Sequence, residues 1–552
     1  MSKEQTENKL GYAASFSEQF TVRAVVIGSV GAVILTMSSM YVALKLGALP
    51  WPIIFVAMVS MFFLKLLGNT NFNEINVAHT TMSAGAMTAG GLSFTIPGLY
   101  MLNPEAGVNF VQLLTVVLGG VVLGLIFTIL IREYFIETQG LPYPMGTAAA
   151  EAVISGDAGG KKSAALFGSM GFAAVFTVLR DWFAVIPQIL PSGFIQRMAA
   201  YGSLAGVWVS PMLVGIGYII GPVFIVIWFL GALIGDVGIL IGGVKTGLWN
   251  GETAATIKAS LGIGLMVGTG AGIVVKGILP RIREIFGPMF SRDAWNSGAV
   301  NMRWAPVVMA ALAFIFTAVC DMGITGSVIT ILGVWLATAM SAQICGQTGI
   351  NPMEVFGIII MLVAKAASPG MGQTAAFFTA AVVAVACGLA GDVMNDFKAG
   401  YILKTDPKAQ WLGECVGGVI GAFVSVGVFY VILRAYGPAA FGDPEMFIAP
   451  QAGMVAAMVG GISHMPAFLA GLGAGVALYM VNFPVMTLGL GVYLPFYLSA
   501  TALIGGLLKY FTAKTKSDEN GTGRIIASGV LGGETVIGVV IAMIHAVSGI
   551  IA

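Results

Sequence analysis

The sequence predicts an all-α polytopic membrane protein of about sixteen transmembrane helices in two duplicated eight-helix halves, some of them broken or re-entrant. Three observations carry that prediction. Only 9% of the 552 residues are charged while 57% are hydrophobic, where a soluble domain carries about 25% charged residues. Apolar runs of about 20 residues, the length a helix needs to cross hydrocarbon, recur along the whole chain. The 76 glycines suit helices whose backbones approach closely in lipid.

Taken in order, residues 1–19 are polar and lack the short apolar stretch of a cleaved signal, so the first hydrophobic helix is expected to remain as an anchor. Spans are expected near 20–47, 49–68, 75–97, 108–133, 160–188, 205–220, 222–244 and 253–277. After a polar linker at 278–303 they resume near 304–324, 326–346, 351–370, 373–392 and 408–435. The run 449–482 has room for two short helices, and 485–510 and 522–551 complete the set. The segment 141–157, LPYPMGTAAAEAVISGD, is too short and too broken to span alone. Proline on both sides of Tyr143 forces an extended entry, so the Ala-rich helix that bears Glu151 reads either as a re-entrant element or as an interfacial one.

The halves 20–277 and 304–552 look like copies. Arg23, Asn71, Glu74 and Gly90 match Arg303, Asn351, Glu354 and Gly370 at an offset of 280, and Tyr218 matches Tyr493 at 275. Gly251-Glu252-Thr253 matches Gly533-Glu534-Thr535 in one register, and Ala259-Ser260 matches Ala527-Ser528 in another; both remain open. An even number of spans per half predicts a parallel repeat with the site between halves. Lys3, Lys9 and Arg23, together with Lys276, Arg281, Arg283, Arg292 and Arg303, place the amino end and the linker in the cytoplasm of a cell with this protein in its inner membrane. On that topology Lys509, Lys514, Lys516 and Arg524 would be external, against the positive-inside rule.

Ionisable groups in hydrocarbon are costly unless they face a wet cavity or a partner, which makes 351–401 the first candidate for a substrate path. Glu354 and Lys365, about three turns apart, share a helix face; Ser368-Pro369-Gly370 breaks that helix, and Gln373 opens the next, where free N–H groups suit a carboxylate. Asp392, Asn395 and Asp396 share one face at i, i+3 and i+4. The substrate-binding candidates are Glu74, His79, Glu151, Tyr218, Glu354, Lys365, Gln373, Asp392 and Tyr493. The proton-coupling candidates are Glu74, Asp321, Glu354, Asp396 and Glu534. Each has a structural alternative, such as a helix-end cap, a buried hydrogen-bonded histidine or an ion pair between helices. Arg180-Asp181 reads as a structural pair, and Asp236 as a further buried carboxylate.

Nucleic acid as a partner is argued against by a net charge of +1 and the lack of a basic stripe. There is no H-E-x-x-H, C-x-x-C, phosphate-binding loop or G-x-S-x-G. Three scattered histidines predict no metal centre and no cofactor. Cys320, Cys345, Cys387 and Cys415 occur singly and are expected as free thiols.

Several stretches together resemble the oligopeptide transporter family, which includes peptide carriers and the yellow-stripe-like metal-chelate carriers. They are FTVRAVVIGSVGAV at 20–33, NEINVAHTTMSAG at 73–85, LPYPMGTAAAEAVISGD at 141–157, AGDVMNDFKAGY at 390–401, Tyr493-Leu494-Pro495 and IIASGVLGGE at 525–534. The resemblance implies a compact bacterial-type, proton-coupled symporter of short peptides or peptide-like chelates. Its partners would be that substrate, protons and membrane lipids, with self-association left open. The alternatives are an importer of metal-siderophore or other metal chelates and a polytopic enzyme acting on lipid-like substrates, for which Asp392 and Asp396 would be the acidic pair.

Overall fold

The computed structural model describes residues 10–551 except 47–48, 50–52, 156–159, 191–196, 199–200, 202, 204–205, 282, 284–299, 349–350, 352, 444–445 and 514–520. Its first half contains α1 (Val22–Leu46), α2 (Ile53–Leu66), α3 (Phe72–Ser93), α4 (Phe110–Arg132), α5 (Pro144–Ser155), α6 (Gly160–Thr177), α7 (Pro211–Ile220), α8 (Pro222–Ala232) and α9 (Gly251–Ile273). The second contains α10 (Ala305–Cys320), α11 (Gly323–Thr348), α12 (Met353–Ala367), α13 (Gln373–Ile402), α14 (Pro407–Tyr436), α15 (Pro450–Gly460), α16 (Met465–Met480), α17 (Val485–Tyr493), α18 (Phe496–Thr512) and α19 (Thr522–Ile551). Two short strands, β1 (Ile189–Leu190) and β2 (Val207–Trp208), pair antiparallel. Among the described residues eight helices are long and apolar enough to cross a membrane, joined by shorter apolar helices. The chain is therefore an all-α polytopic membrane protein.

Local chemistry sets the helix ends. Asn71 accepts from the Glu74 N–H, Asn109 and Gln112 form a reciprocal capping box, and Asn250 accepts from the Thr253 N–H. Proline begins α5, α7, α8, α14 and α15, where its missing N–H costs no hydrogen bond. The run 449–482 is indeed two helices, α15 and α16, separated at Gly461, whose φ is +104°.

At the centre lies α13, nearly all of it buried. It runs antiparallel to α3, since Ser83 meets Asp392 near the middle and Asn73 meets Leu403 at the end. Helix α3 runs with α1, Gly28 facing Thr81 and Gly85 facing Ala32. Glycine sets a close approach between α9 and α16: a Cβ on Gly264 would strike the Phe468 carbonyl oxygen, and one on Gly268 the Leu472 carbonyl oxygen. Gly268→Ala is therefore expected to lower stability by about 1–3 kcal/mol, read as a fall in the unfolding midpoint of the purified protein. An unchanged midpoint would show that the helices part without cost.

The second half departs from the expected spans at 485–510. That run is not one crossing. Helix α8 and its π-helical continuation Leu233–Gly243 run up the bundle, and the turn at Trp249 sends α9 back down. Helix α17 opposes α9, with Tyr493 at Gly262 and Gly489 at Leu265, so it rises. Helix α18 instead descends alongside α7, from Thr501 at Trp208 to Lys509 at Ile219. The reversal falls at Leu494-Pro495, where Pro495 cannot continue the helix of Tyr493. Helix α19 rises with α1, Gly538 against Tyr41, so Arg524 at its start lies toward the Arg23 end. Lys509 and Arg524 thus lie at the amino-terminal end of α1, which removes these two from the charge exception read from the sequence; Lys514 and Lys516 lie outside the described residues. Helices α1 and α10 run the same way, as do α3 and α12, whereas α7 and α17, which carry Tyr218 and Tyr493, run oppositely; a purely parallel repeat does not accommodate that last pair.

Candidate functional site

Two assemblies of polar groups lie inside the bundle. The first forms where α3, α13 and α14 meet. Asp392 and Asp396, one turn apart on α13, face Glu414 of α14, and all three are buried. One carboxylate oxygen from each lies within 4.8 Å of the other two. Ser83 Oγ sits 2.9 and 3.1 Å from the two Asp392 oxygens. Its neighbour one turn back on α3, His79, places Nδ1 3.8 Å from Asp396 Oδ1.

The second assembly lines a cavity of about 550 Å³, a size usual for small-molecule sites. It is built from the last turn of α1 (Tyr41, Lys45), the π-helical turn Val178–Trp182 that ends α6 (Arg180, Asp181), Trp208 of β2, Phe447, and the first turn of α18 (Tyr497). Arg180 is almost fully buried and fully engaged. Its Nε and Nη2 donate to the two Asp181 oxygens at 2.7 Å, and Nη1 donates to Glu534 Oε1 and the Val209 carbonyl at 2.8 Å. Glu534 also accepts from Ser210 Oγ and the Met212 N–H, both at 2.8 Å. Lys45 is different. Its ammonium stands 5.2 Å from the Phe447 ring, 5.6 Å from Trp208 and 6.0 Å from Tyr41, and no carboxylate among the described residues lies at ion-pair distance. The cavity therefore presents a cation in an aromatic cage with no carboxylate of the described residues at ion-pair distance from it.

Comparison with known proteins adds the family. Residues 19–280 and 288–545 match the family described as OPT oligopeptide transporter protein. The chain belongs to that family. A Haemophilus influenzae protein named for oligopeptide transport is 25% identical over 92% of this chain and 93% of its own length. Rice (Oryza sativa subsp. japonica) proteins named for transport are similar over shorter stretches. One named for metal-nicotianamine is 28% identical over 19% of this chain and 16% of its own, and one named for iron-phytosiderophore is 29% identical over 25% and 21%.

In this OPT transporter the residues singled out from the sequence do not form one constellation. Glu354 is buried on the first turn of α12 with no cation against it among the described residues, whereas Lys365 is half-buried and Gln373 exposed. None of the three lines the 550 Å³ cavity. Glu74 is locked at the start of α3 by Arg23 at 2.6 Å and by the Thr21 and Thr70 hydroxyls. Glu534 is likewise clamped, by Arg180. Asp321 is no buried carrier: it is exposed and ends α10 in the left-handed region, φ +51°. Tyr218 hydroxyl meets Thr512 Oγ1 at 3.0 Å, and Tyr493, half-buried, packs against Gly262 beside the Leu494-Pro495 reversal. Glu151 is on α5, and its side chain lies outside the described residues. Helix α5 itself packs its alanines, Ala149 and Ala150, into a core shared with α2 and α3.

Sequence reasoning missed Glu414, Lys45 and Lys258. Glu414 stands early in the apolar run 408–435, so the same test that marked Asp392 would have found it. Lys258 Nζ donates to Asp236 Oδ2 at 2.8 Å and to the Leu494 carbonyl at 3.3 Å, tying the α17–α18 reversal to α9. Arg180-Asp181, read as a structural pair, is a pair that also walls the cavity.

Proposed function

We propose that the protein is a secondary transporter that imports short oligopeptides or peptide-like compounds, driven by a proton gradient and working by alternating access. The observation that carries this reading is the caged, unpaired ammonium of Lys45 facing the cavity. A peptide carboxylate would supply the missing anion, and its ammonium would meet Asp181, whose side chain is 17% exposed. The aromatic lining offers side-chain-tolerant apolar contact. With the amino terminus in the cytoplasm, the Lys45 end of α1 faces outward, as import requires.

The proton carrier assigned here is Glu354. Glu74 and Glu534 are held by arginines and Asp321 is exposed; Glu354 and Asp396 are both buried without a lysine or arginine against them among the described residues, but Asp396 stands in a cluster with Asp392, Glu414 and His79, which leaves Glu354 as the isolated carboxyl. In proteoliposomes, labelled di- to hexapeptides are expected to accumulate when the outside is made acidic. Glu354→Gln is expected to remove that dependence while leaving the protein monodisperse in detergent. Uptake indifferent to the imposed gradient in the unaltered protein would eliminate proton coupling.

The rice relatives, named for metal-nicotianamine and iron-phytosiderophore transport, favour a second cargo, a carboxylate-rich metal chelate. The same vesicles offered ferric chelates decide between the two. Neither cargo requires the chain to act as an enzyme.

A further inference from the structure

We propose that His79, Asp392, Asp396 and Glu414 form a buried binding site for a divalent metal cation, separate from the substrate cavity and independent of what that cavity carries. Three carboxylates converge on one point, yet no lysine or arginine among the described residues pairs with any of them. Ser83 donates to Asp392, while Asp396 and Glu414 face each other with no protein donor for their four oxygens among the described residues beyond a proton shared between the two carboxyls. Buried polar groups are ordinarily satisfied, and one shared proton engages at most two of these four oxygens, so the others call for a ligand.

His79 supplies the second, independent indication. It is fully buried, both ring nitrogens lack partners, and Nδ1 is aimed at Asp396. Among the described residues the imidazole has no hydrogen bond and only Asp396, 3.8 Å away, beside it, whereas a metal ion drawn toward Asp396 would use it directly. The carboxylate spacing agrees. An ion bonding oxygen at about 2.0–2.6 Å holds ligands about 4–5 Å apart across itself, and the three carboxylates are within 4.8 Å of one another, with His79 standing at the edge of that group, 3.8 Å from Asp396.

The scaffold is suited to hold such an ion. His79 and Ser83 are one turn apart on α3, Asp392 and Asp396 one turn apart on α13, and the two helices are antiparallel, so both pairs present one face to the gap that Glu414 closes from α14. Oxygen donors alone suit magnesium or calcium; the imidazole turns the preference toward manganese, iron or zinc. The proposal departs from the sequence expectation of no metal centre, which rested on the scatter of histidines along the chain.

The test uses full-length protein in detergent, stripped with EDTA, dialysed, and offered Mn2+, Zn2+, Ca2+ or Mg2+ singly. Retained metal is counted by mass spectrometry and the unfolding midpoint measured in parallel. One Mn2+ or Zn2+ per chain and a raised midpoint are expected. Asp396→Asn and Glu414→Gln should each weaken binding at least about tenfold, His79→Gln should erase the preference for Mn2+ and Zn2+ over Ca2+, and Asp321→Asn, far from the site, should change nothing. Substoichiometric retention by the unaltered protein overturns the proposal even if the variants fail to fold. So does retention that Asp396→Asn and Glu414→Gln leave intact, or stabilisation obtained from acid or Na+ alone. Because no transport is measured, failure here leaves the peptide reading standing.

Discussion

Replacing Lys45 with alanine is expected to raise the KM for peptide uptake by at least about 30-fold, equivalent to about 2 kcal/mol of lost charge-assisted binding. The ammonium sits in a cage of Tyr41, Trp208 and Phe447 with no protein carboxylate at ion-pair distance among the described residues. Its charge is therefore free for a ligand, and its removal costs the ligand rather than the fold. Lys45→Arg keeps the charge and should retain part of the uptake. A peptide blocked at its carboxyl terminus should lose affinity in the unaltered protein but not in Lys45→Ala, because the contact is already gone. If blocked and free peptides compete equally in the unaltered protein, the carboxylate does not bind Lys45 and the cavity reading fails.

Removing Arg180 should act on stability instead. Arg180 is 2% exposed, and its guanidinium neutralises both Asp181 and Glu534. Arg180→Ala leaves Glu534 buried with hydroxyl and amide donors but no cation, a loss of the kind that costs about 3–5 kcal/mol. A marked fall in the unfolding midpoint is expected, largely restored when Glu534→Gln is added, since the second change removes the stranded charge. Additive loss in the double variant would mean that the two groups do not act as a pair. The contrast with Lys45 is the useful result: neighbouring cations in one cavity wall, one there for a ligand and one there for the fold.

How much of the candidate site was legible depended on whether its parts were close in sequence. Asp392 and Asp396 announce themselves at i and i+4 in an apolar helix. Glu414 joins them only because α14 folds back along α3 and α13, so no spacing rule links it to them. Lys45 ends an apolar run next to Leu46, where a lysine ordinarily reads as an interfacial anchor; only the approach of Trp208 and Phe447, more than 160 residues away in sequence, turns it into a cavity cation. Conversely, Glu354 and Lys365 share a helix as the spacing predicted, but Glu354 is buried and Lys365 half-buried, and neither lines the 550 Å³ cavity.

By itself the sequence determined that this is an all-α membrane bundle, because a chain with 9% charged residues can satisfy its backbone in hydrocarbon only within helices. It also determined most helix limits, which follow from local breaks and caps. Tertiary structure alone decided which way each helix runs and which charges meet. Direction depends on whether a break such as Leu494-Pro495 bends the chain or returns it, and packing against α7 and α9 settles that. Whether a charge is clamped by an opposite charge, as Glu534 is, or faces aromatic rings with no carboxylate of the described residues at ion-pair distance, as Lys45 does, depends on side chains brought from distant helices.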